Sequence, residues 1–344
     1  MKRIFVLSLM SLFIFVITAC KATTDYSGTY TGYSWAGEAN GVSFDEATQY
    51  IETTLTLGAD GTILDASIDF MVFRNGTWVS RLNTDATVSI DYSIDPTQAI
   101  VGENAANGES MFTIETVDLM SFYAYGVDAD GTIAIGIVCP VTRYLFEMKL
   151  PADFDFTTPV EALTIANGHL VPTILTSNFG LAKVSDWDRY ENRSIFTIHH
   201  WSHVVNDFGV FEGIDNDSTT AELLVALGIT FTNDQANPLE AEYGFFGIGG
   251  WAGNYAAIEN FLIGKNATEL TSLIDWSIEE YALNIDENNF FGRDTITGAT
   301  RTVQNSVDTI AGATVRISRE ATSFQRALVE AGIIDESDVI IGRF

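Results

Sequence analysis

This chain is poor in cysteine, proline, histidine and basic residues. Two cysteines, Cys20 and Cys139, six prolines and four histidines occur in 344 residues. Two thiols permit at most one disulfide, which excludes a fold held by a disulfide framework. Cys139 lies in the apolar run IAIGIVCPV, where cysteine ordinarily acts as a small buried hydrophobe. Seventeen Lys and Arg stand against 46 Asp and Glu, and the net charge is −29 at pH 7. That balance excludes nucleic acid as a partner and polybasic docking on anionic lipid. It also leaves the surface few sites for anionic substrates, so a phosphate group needs local backbone donors or a covalent tether. Beyond Cys20 no apolar run approaches the roughly 20 residues of a membrane helix. There is no Walker A loop, nucleophile elbow or zincin motif, and no carboxylate pair whose spacing alone calls for hydrolysis.

What is present begins with a targeting segment. Lys2 and Arg3 precede the apolar run Ile4 to Ile17, and Ile17-Thr18-Ala19-Cys20 follows. Residues 1–19 read as a secretory signal, too short for a stable membrane span. Small residues directly before cysteine resemble a bacterial lipobox. The resemblance implies cleavage before Cys20, lipidation of Cys20 and a lipid-anchored protein on the extracytoplasmic face of a cell membrane. Ordinary secretion is the alternative.

The mature chain is long enough for two ordinary domains. In its first half, YIETTLTLGADGTILDASIDF alternates polar and apolar residues around Asp60-Gly61, and SFYAYGVDADGTIAIGIV does so around Asp130-Gly131. Asp-Gly between alternating runs predicts β-hairpins, and ADGTI in both suggests a repeated unit. The pattern stops near LPADFDFTTPV (150–160). The expected organisation is α+β: a β-rich domain over 20–150 with hairpins, then an α+β domain over 151–344. TAELLVALGI (220–229), AAIENFLIG (256–264) and ATELTSLIDWSIEEYAL (267–283) predict helices. Ile317, Ala321, Phe324, Leu328 and Ala331 form one helical stripe, with Gly332 as its stop.

Residues 294–314 read DTITGATRTVQNSVDTIAGAT, in which the heptad Asp-Thr-Ile-x-Gly-Ala-Thr occurs twice. Gly and Ala let a ligand approach the backbone, and a loop entering a helix offers free N–H groups and the positive end of the helix dipole. Small-residue turns before helices are the bland alternative. The pattern Asp-x-x-Ser/Thr-Gly-Ala-Thr resembles the acceptor motif of the covalent FMN-binding domain family. That family includes flavin subunits of sodium-pumping NADH:quinone reductase and the related Rnf complex, and lipoproteins that pass electrons outward. The opening GTYTG (28–32) and the hairpin at 54–68 are similar to the family's N-terminal segment, whereas residues 75–285 have no counterpart in it.

The resemblance implies FMN esterified through its phosphate to the last threonine of the motif by a flavin transferase. The first motif is Asp294, Thr297, Gly298, Ala299 and Thr300, a complete match. The second is Asp308, Ala311, Gly312, Ala313 and Thr314; Ala311 departs from the pattern, but this copy opens the clearer helix. Both threonines therefore stand as acceptors, with one flavin favoured over two. The function implied is relay of electrons between a membrane redox partner and an external acceptor. A substrate-binding or adhesive surface lipoprotein without flavin is the rival, and a stand-alone flavoenzyme ranks last.

Three further stretches raise functional readings. In FFGIGGWAGNYAAIENF (245–261), Trp251 or Tyr255 stacks on a flavin, or the run is a tight turn between core aromatics. His199, His200 and His203, with Asp207 nearby, lack the partners of a metal site. GIDNDSTTAELL (213–224) fails as a calcium loop and reads as a helix cap at Asp217 or Ser218.

Overall fold

Alternation of threonine and glutamate with large apolar residues makes the first strands, because successive side chains point to opposite faces. In the computed structural model, which describes residues 24–119, 122–139, 142–176, 186–198, 209–245, 247–274, 317–342 and 344, the chain is α+β. Strands β1 (Gly28–Trp35), β2 (Gln49–Leu57), β3 (Ile63–Arg74) and β4 (Thr77–Ser80) form an antiparallel sheet in chain order. Ile51, Leu55, Ile68, Phe70 and Val72 fill its inner face. The β2–β3 turn holds as expected: the Asp60 carboxylate accepts the Thr62 N–H at 3.0 Å, and Gly61 takes φ +85°.

The second ADGTI is a hairpin turn of the same kind. It joins β7 (Phe122–Val127) to β8 (Ile133–Val138), with Gly131 also at φ +85° and the Asp128 carboxylate accepting the Thr132 N–H at 2.8 Å. With β9 (Tyr144–Leu150), β10 (Val171–Leu175) and β13 (Leu239–Phe245) these strands form a second antiparallel sheet, ordered β10-β9-β8-β7-β13. The short hairpin β11 (Phe231–Thr232) and β12 (Gln235–Ala236) stands apart from that sheet. Every residue of β8 is buried, because both faces of the sheet are covered. Val160, Leu163, Trp187 and Phe196 lie on one side. The hairpin β5 (Ala86–Ile90) and β6 (Phe112–Thr116) lies on the other. Cys139 is buried at the end of β8, as its apolar run suggests.

Three α-helices occur among the described residues: α1 (Thr220–Ala226), α2 (Gly250–Leu262) and α3 (Ser318–Glu330). The cap of α1 is Thr219, not Asp217 or Ser218. Thr219 stands three residues before Glu222, and the two exchange the hydrogen bonds of a capping box. Asp215 instead holds the preceding turn, accepting from the N–H groups of Asp217 and Ser218. Helix α2 begins at Gly250, six residues earlier than its apolar pattern indicates. No helix forms over the described part of the expected 267–283 helix. There the chain is tied to the β2–β3 turn by Ala267 N–H to the Gly61 carbonyl and by an Asn266–Thr62 bridge, which consumes the groups a helix would use. Helix α3 follows its predicted stripe: Ile317, Ala321, Phe324 and Leu328 are fully buried, and Gly332 takes φ +69°.

Helices α2 and α3 both pack on the inner face of the first sheet, so chain from beyond residue 250 completes a layer begun at residue 28. The second sheet likewise spans the expected boundary at 150: β9 ends at Leu150 and pairs with β10. The two segments that carry the family resemblance thus share one core, and the intervening chain builds its own sheet.

The contact between α3 and β1 depends on Gly32, the last residue of GTYTG. A Cβ there would lie 2.1 Å from the Ser323 carbonyl oxygen and 2.3 Å from the Ala327 nitrogen. Gly32→Ala is therefore expected to destabilise the fold by about 3 kcal/mol, the upper end of ordinary overpacking, as read by urea unfolding.

Candidate functional site

The acceptor residues Asp294, Thr297, Gly298, Ala299, Thr300, Asp308, Ala311, Gly312, Ala313 and Thr314 lie outside the described residues, as do Cys20, His199, His200, His203 and Asp207. The structure does describe the two points between which the acceptor segment runs. One is Ile274, buried in the core of the first sheet. The other is Ile317, the cap of α3, fully buried with φ +56° and ψ −15°. A β-branched residue in the left-handed region carries backbone strain of roughly 1–3 kcal/mol, which the surrounding packing must hold. Thr314 precedes Ile317 by three residues, so their Cα atoms are at most about 11 Å apart.

Ile317 opens onto a cluster of arginines and aromatic rings. Arg319, on the first turn of α3, is buried, and its Nε donates to Glu320 Oε1 at 2.9 Å. The same oxygen accepts the Tyr255 hydroxyl from α2 at 2.6 Å. The Arg319 guanidinium lies 4.7 Å from the ring centres of both Phe70 and Trp251 and 5.4 Å from that of Phe344. Arg81, just after β4, lies 5.0 Å from the Phe70 ring centre and 5.1 Å from that of Trp251. Arg143, in the β8–β9 turn with φ +63°, completes the group from the second sheet. Asp118 is fully buried and accepts the Trp251 N–H at 3.0 Å, so a carboxylate sits at the N-terminus of α2 where the helix dipole favours it.

The glycine run before α2 makes this geometry. Gly249 and Gly250 take φ +98° and +62°, and a Cβ on Gly250 would sit 2.7 Å from Asp118 Oδ2. Trp251 and Tyr255 are buried core rings: Trp251 packs edge-on against Phe70 at 5.0 Å and against Tyr255 at 5.6 Å. Of the two readings of 245–261, the turn between core aromatics describes what is found.

Burial and charge shift the titration of these groups. Arg81 is pushed down to about 10 by burial, opposed by Asp118 and reinforced by the like charges of Arg319 and Arg143. Arg143 falls to about 10 through burial and the charge of Arg319. Burial also works against the charge on Arg319, but Glu320 and Tyr255 outweigh it and hold the guanidinium above its ordinary value. All three cations remain charged at neutral pH. Three atoms in the cluster, Arg81 Nε, Trp251 Nε1 and Glu320 Oε2, are buried with no hydrogen-bond partner among the described residues.

Sequence reasoning did not single out these arginines, which come from three separate elements and form no local motif. The one signal was scarcity: in so acidic a chain, a buried guanidinium has something to hold. Comparison with protein families, with curated proteins and with solved structures finds no match to the chain.

The Tyr255–Glu320 bond has a stability consequence. Burial and the Glu320 charge raise the Tyr255 phenol well above its ordinary value of 10.0, so the folded state favours the neutral hydroxyl. Its contribution is complete below pH 10 and is lost as pH rises further. Tyr255→Phe leaves Glu320 without that donor, and an expected loss of about 1–3 kcal/mol at pH 7 is checked by urea unfolding. The same variant flattens the decline in stability above pH 10.

Proposed function

We propose that this protein is a lipid-anchored extracytoplasmic flavoprotein. It carries FMN as a phosphoester on Thr300 or Thr314 and relays electrons between a membrane redox partner and an external acceptor. The observation that carries this reading is architectural. The GTYTG strand and the acceptor segment, far apart in sequence, meet in one sheet-and-helix unit, and the acceptor segment enters α3 at Ile317 beside buried arginines. Asp294, Thr297, Gly298 and Ala299, or Asp308, Gly312 and Ala313, form the turn that presents the threonine to a flavin transferase. The donor set suits the cofactor: guanidinium groups and a helix start are what a phosphate needs in a chain of net charge −29.

Bound FMN supplies the one- and two-electron chemistry. The chain supplies the tether, a rigid helix behind it and local positive charge. Cys20 supplies the anchor, and a covalent bond keeps the cofactor from being lost outside the cell. The protein itself need not turn over a substrate.

A second reading, a binding or adhesive lipoprotein without flavin, is favoured by one surface. On the outer face of the first sheet Tyr50 packs on Trp78 at 4.7 Å and on Phe44 at 5.4 Å, and Trp78 on Phe73 at 5.3 Å. Phe44, Phe73 and Trp78 are exposed by 39%, 46% and 37%.

Co-expression with a flavin transferase decides between the two. The expected result is a fluorescent band on a denaturing gel, lost in one of the variants Thr300→Val and Thr314→Val and kept in the other. A dark band for the wild-type chain overturns the flavin reading and leaves the binding lipoprotein.

A further inference from the structure

We propose that the arginine cluster is a docking site for a phosphate monoester, with Arg81 and Arg319 as its cations above the Phe70 and Trp251 rings. The proposal rests on the flavin reading for the identity of the ester, and it assigns to this site an affinity that exists before and without any covalent bond.

The argument begins with cost. Moving a guanidinium out of water is expensive unless charge and hydrogen bonds are returned to it. Here three guanidinium groups converge in the interior of a chain with only 17 basic residues. The aromatic rings return part of that cost through cation–π contact, which uses the faces of the guanidinium groups and leaves their N–H edges to seek acceptors. The local carboxylates are already engaged. Glu320 Oε1 takes both the Tyr255 hydroxyl and Arg319 Nε, and Asp118 Oδ2 takes the N-terminal N–H of α2. Arg81 Nε has no hydrogen-bond partner among the described residues.

Arg81 and Arg319 share both rings, so their forks lie close together. A dianionic phosphate with three acceptor oxygens matches two such forks better than a lone carboxylate does, and arginine forms the paired hydrogen bonds this requires. The acidic exterior rejects extended polyanions, so a nucleic acid is not the ligand and a small monoester is. The strained cap at Ile317 holds Arg319 in register with the rings.

The test uses the full mature chain carrying Thr300→Val and Thr314→Val, so that no ester forms. FMN, riboflavin and inorganic phosphate are titrated by calorimetry. The expected result is binding of FMN at least tenfold tighter than riboflavin, with inorganic phosphate competing. Adding Arg81→Gln is expected to weaken FMN binding at least tenfold and to leave riboflavin unaffected. Arg81→Lys, which keeps charge but loses the fork, is expected to fall between the two, and it decides the matter if Arg81→Gln does not fold. Equal affinity for FMN and riboflavin, or no binding of FMN and phosphate, overturns the proposal. So does FMN affinity that ignores Arg81 in a folded variant. If wild-type protein never carries covalent flavin yet binds phosphate in an Arg81-dependent way, the flavin reading falls and the anion site stands. If it carries covalent flavin while FMN binding is independent of Arg81, the anion site falls and the flavin reading stands.

Discussion

The seating of α3 directly on the backbone of β1 is the contact on which the rest of the molecule depends. It requires the absence of a side chain at Gly32, and it is pinned by bonds that run across nearly the whole chain. Ser34 Oγ donates to the Arg319 carbonyl at 2.7 Å, and Thr53 and Ser323 share a hydrogen bond of 2.7 Å in the buried interface. Arg326 donates to the Tyr33 carbonyl and pairs with Glu38, and Glu330 accepts the Thr31 N–H. Because α3 is fixed to the first strand, Ile317 is fixed too, and with it the point where the acceptor segment joins the core. Arg319 then faces the Phe70 and Trp251 rings as a consequence of helix register.

A second constraint is electrostatic. The outer surface is strongly acidic, and the interior beside Ile317 holds three arginines. Such an arrangement is costly for a purely structural core, since hydrophobic residues of similar volume would pack there without desolvating charge. The carboxylates of Glu320 and Asp118 and the aromatic faces offset the cost without removing it, as the lowered values of Arg81 and Arg143 attest. A cation cluster retained on these terms, in a chain otherwise poor in cations, fits a role in holding an anion. The charge that repels polyanions at the surface also makes that anion a small one.

Much of the local structure was legible in the residues. Asp-Gly between alternating runs forces a tight reversal, and both hairpins formed there. The stripe from Ile317 to Leu328 needs only helical periodicity to be seen, and Gly332 ends it for reasons of backbone conformation. The failures are where distant chain decides. Helix α2 starts inside a glycine run that propensity alone would exclude, because Asp118 from before β7 caps it. Residues 267–274 read as helix but are drawn into hydrogen bonds with the β2–β3 turn. The cap of α1 is Thr219 because its partner Glu222 sits at the right spacing. Strand β10 lies beyond a Pro-containing stretch that looks like a linker, and pairing with β9 is invisible to local pattern. The arginine cluster draws on Arg81, Arg143 and Arg319, which no motif connects. The acceptor heptads were read from resemblance alone, and what the fold adds is the company their segment keeps at Ile317.

The central claim is a phosphoester between FMN and a threonine of the segment that leads into α3. The intact mass of the mature protein, purified from cells that contain a flavin transferase, tests it most directly. The account predicts one added FMN, less the water lost in the ester, mapped by peptide fragmentation to Thr300 or Thr314. A mature chain from such cells that carries its lipid at Cys20 and no added flavin would contradict it.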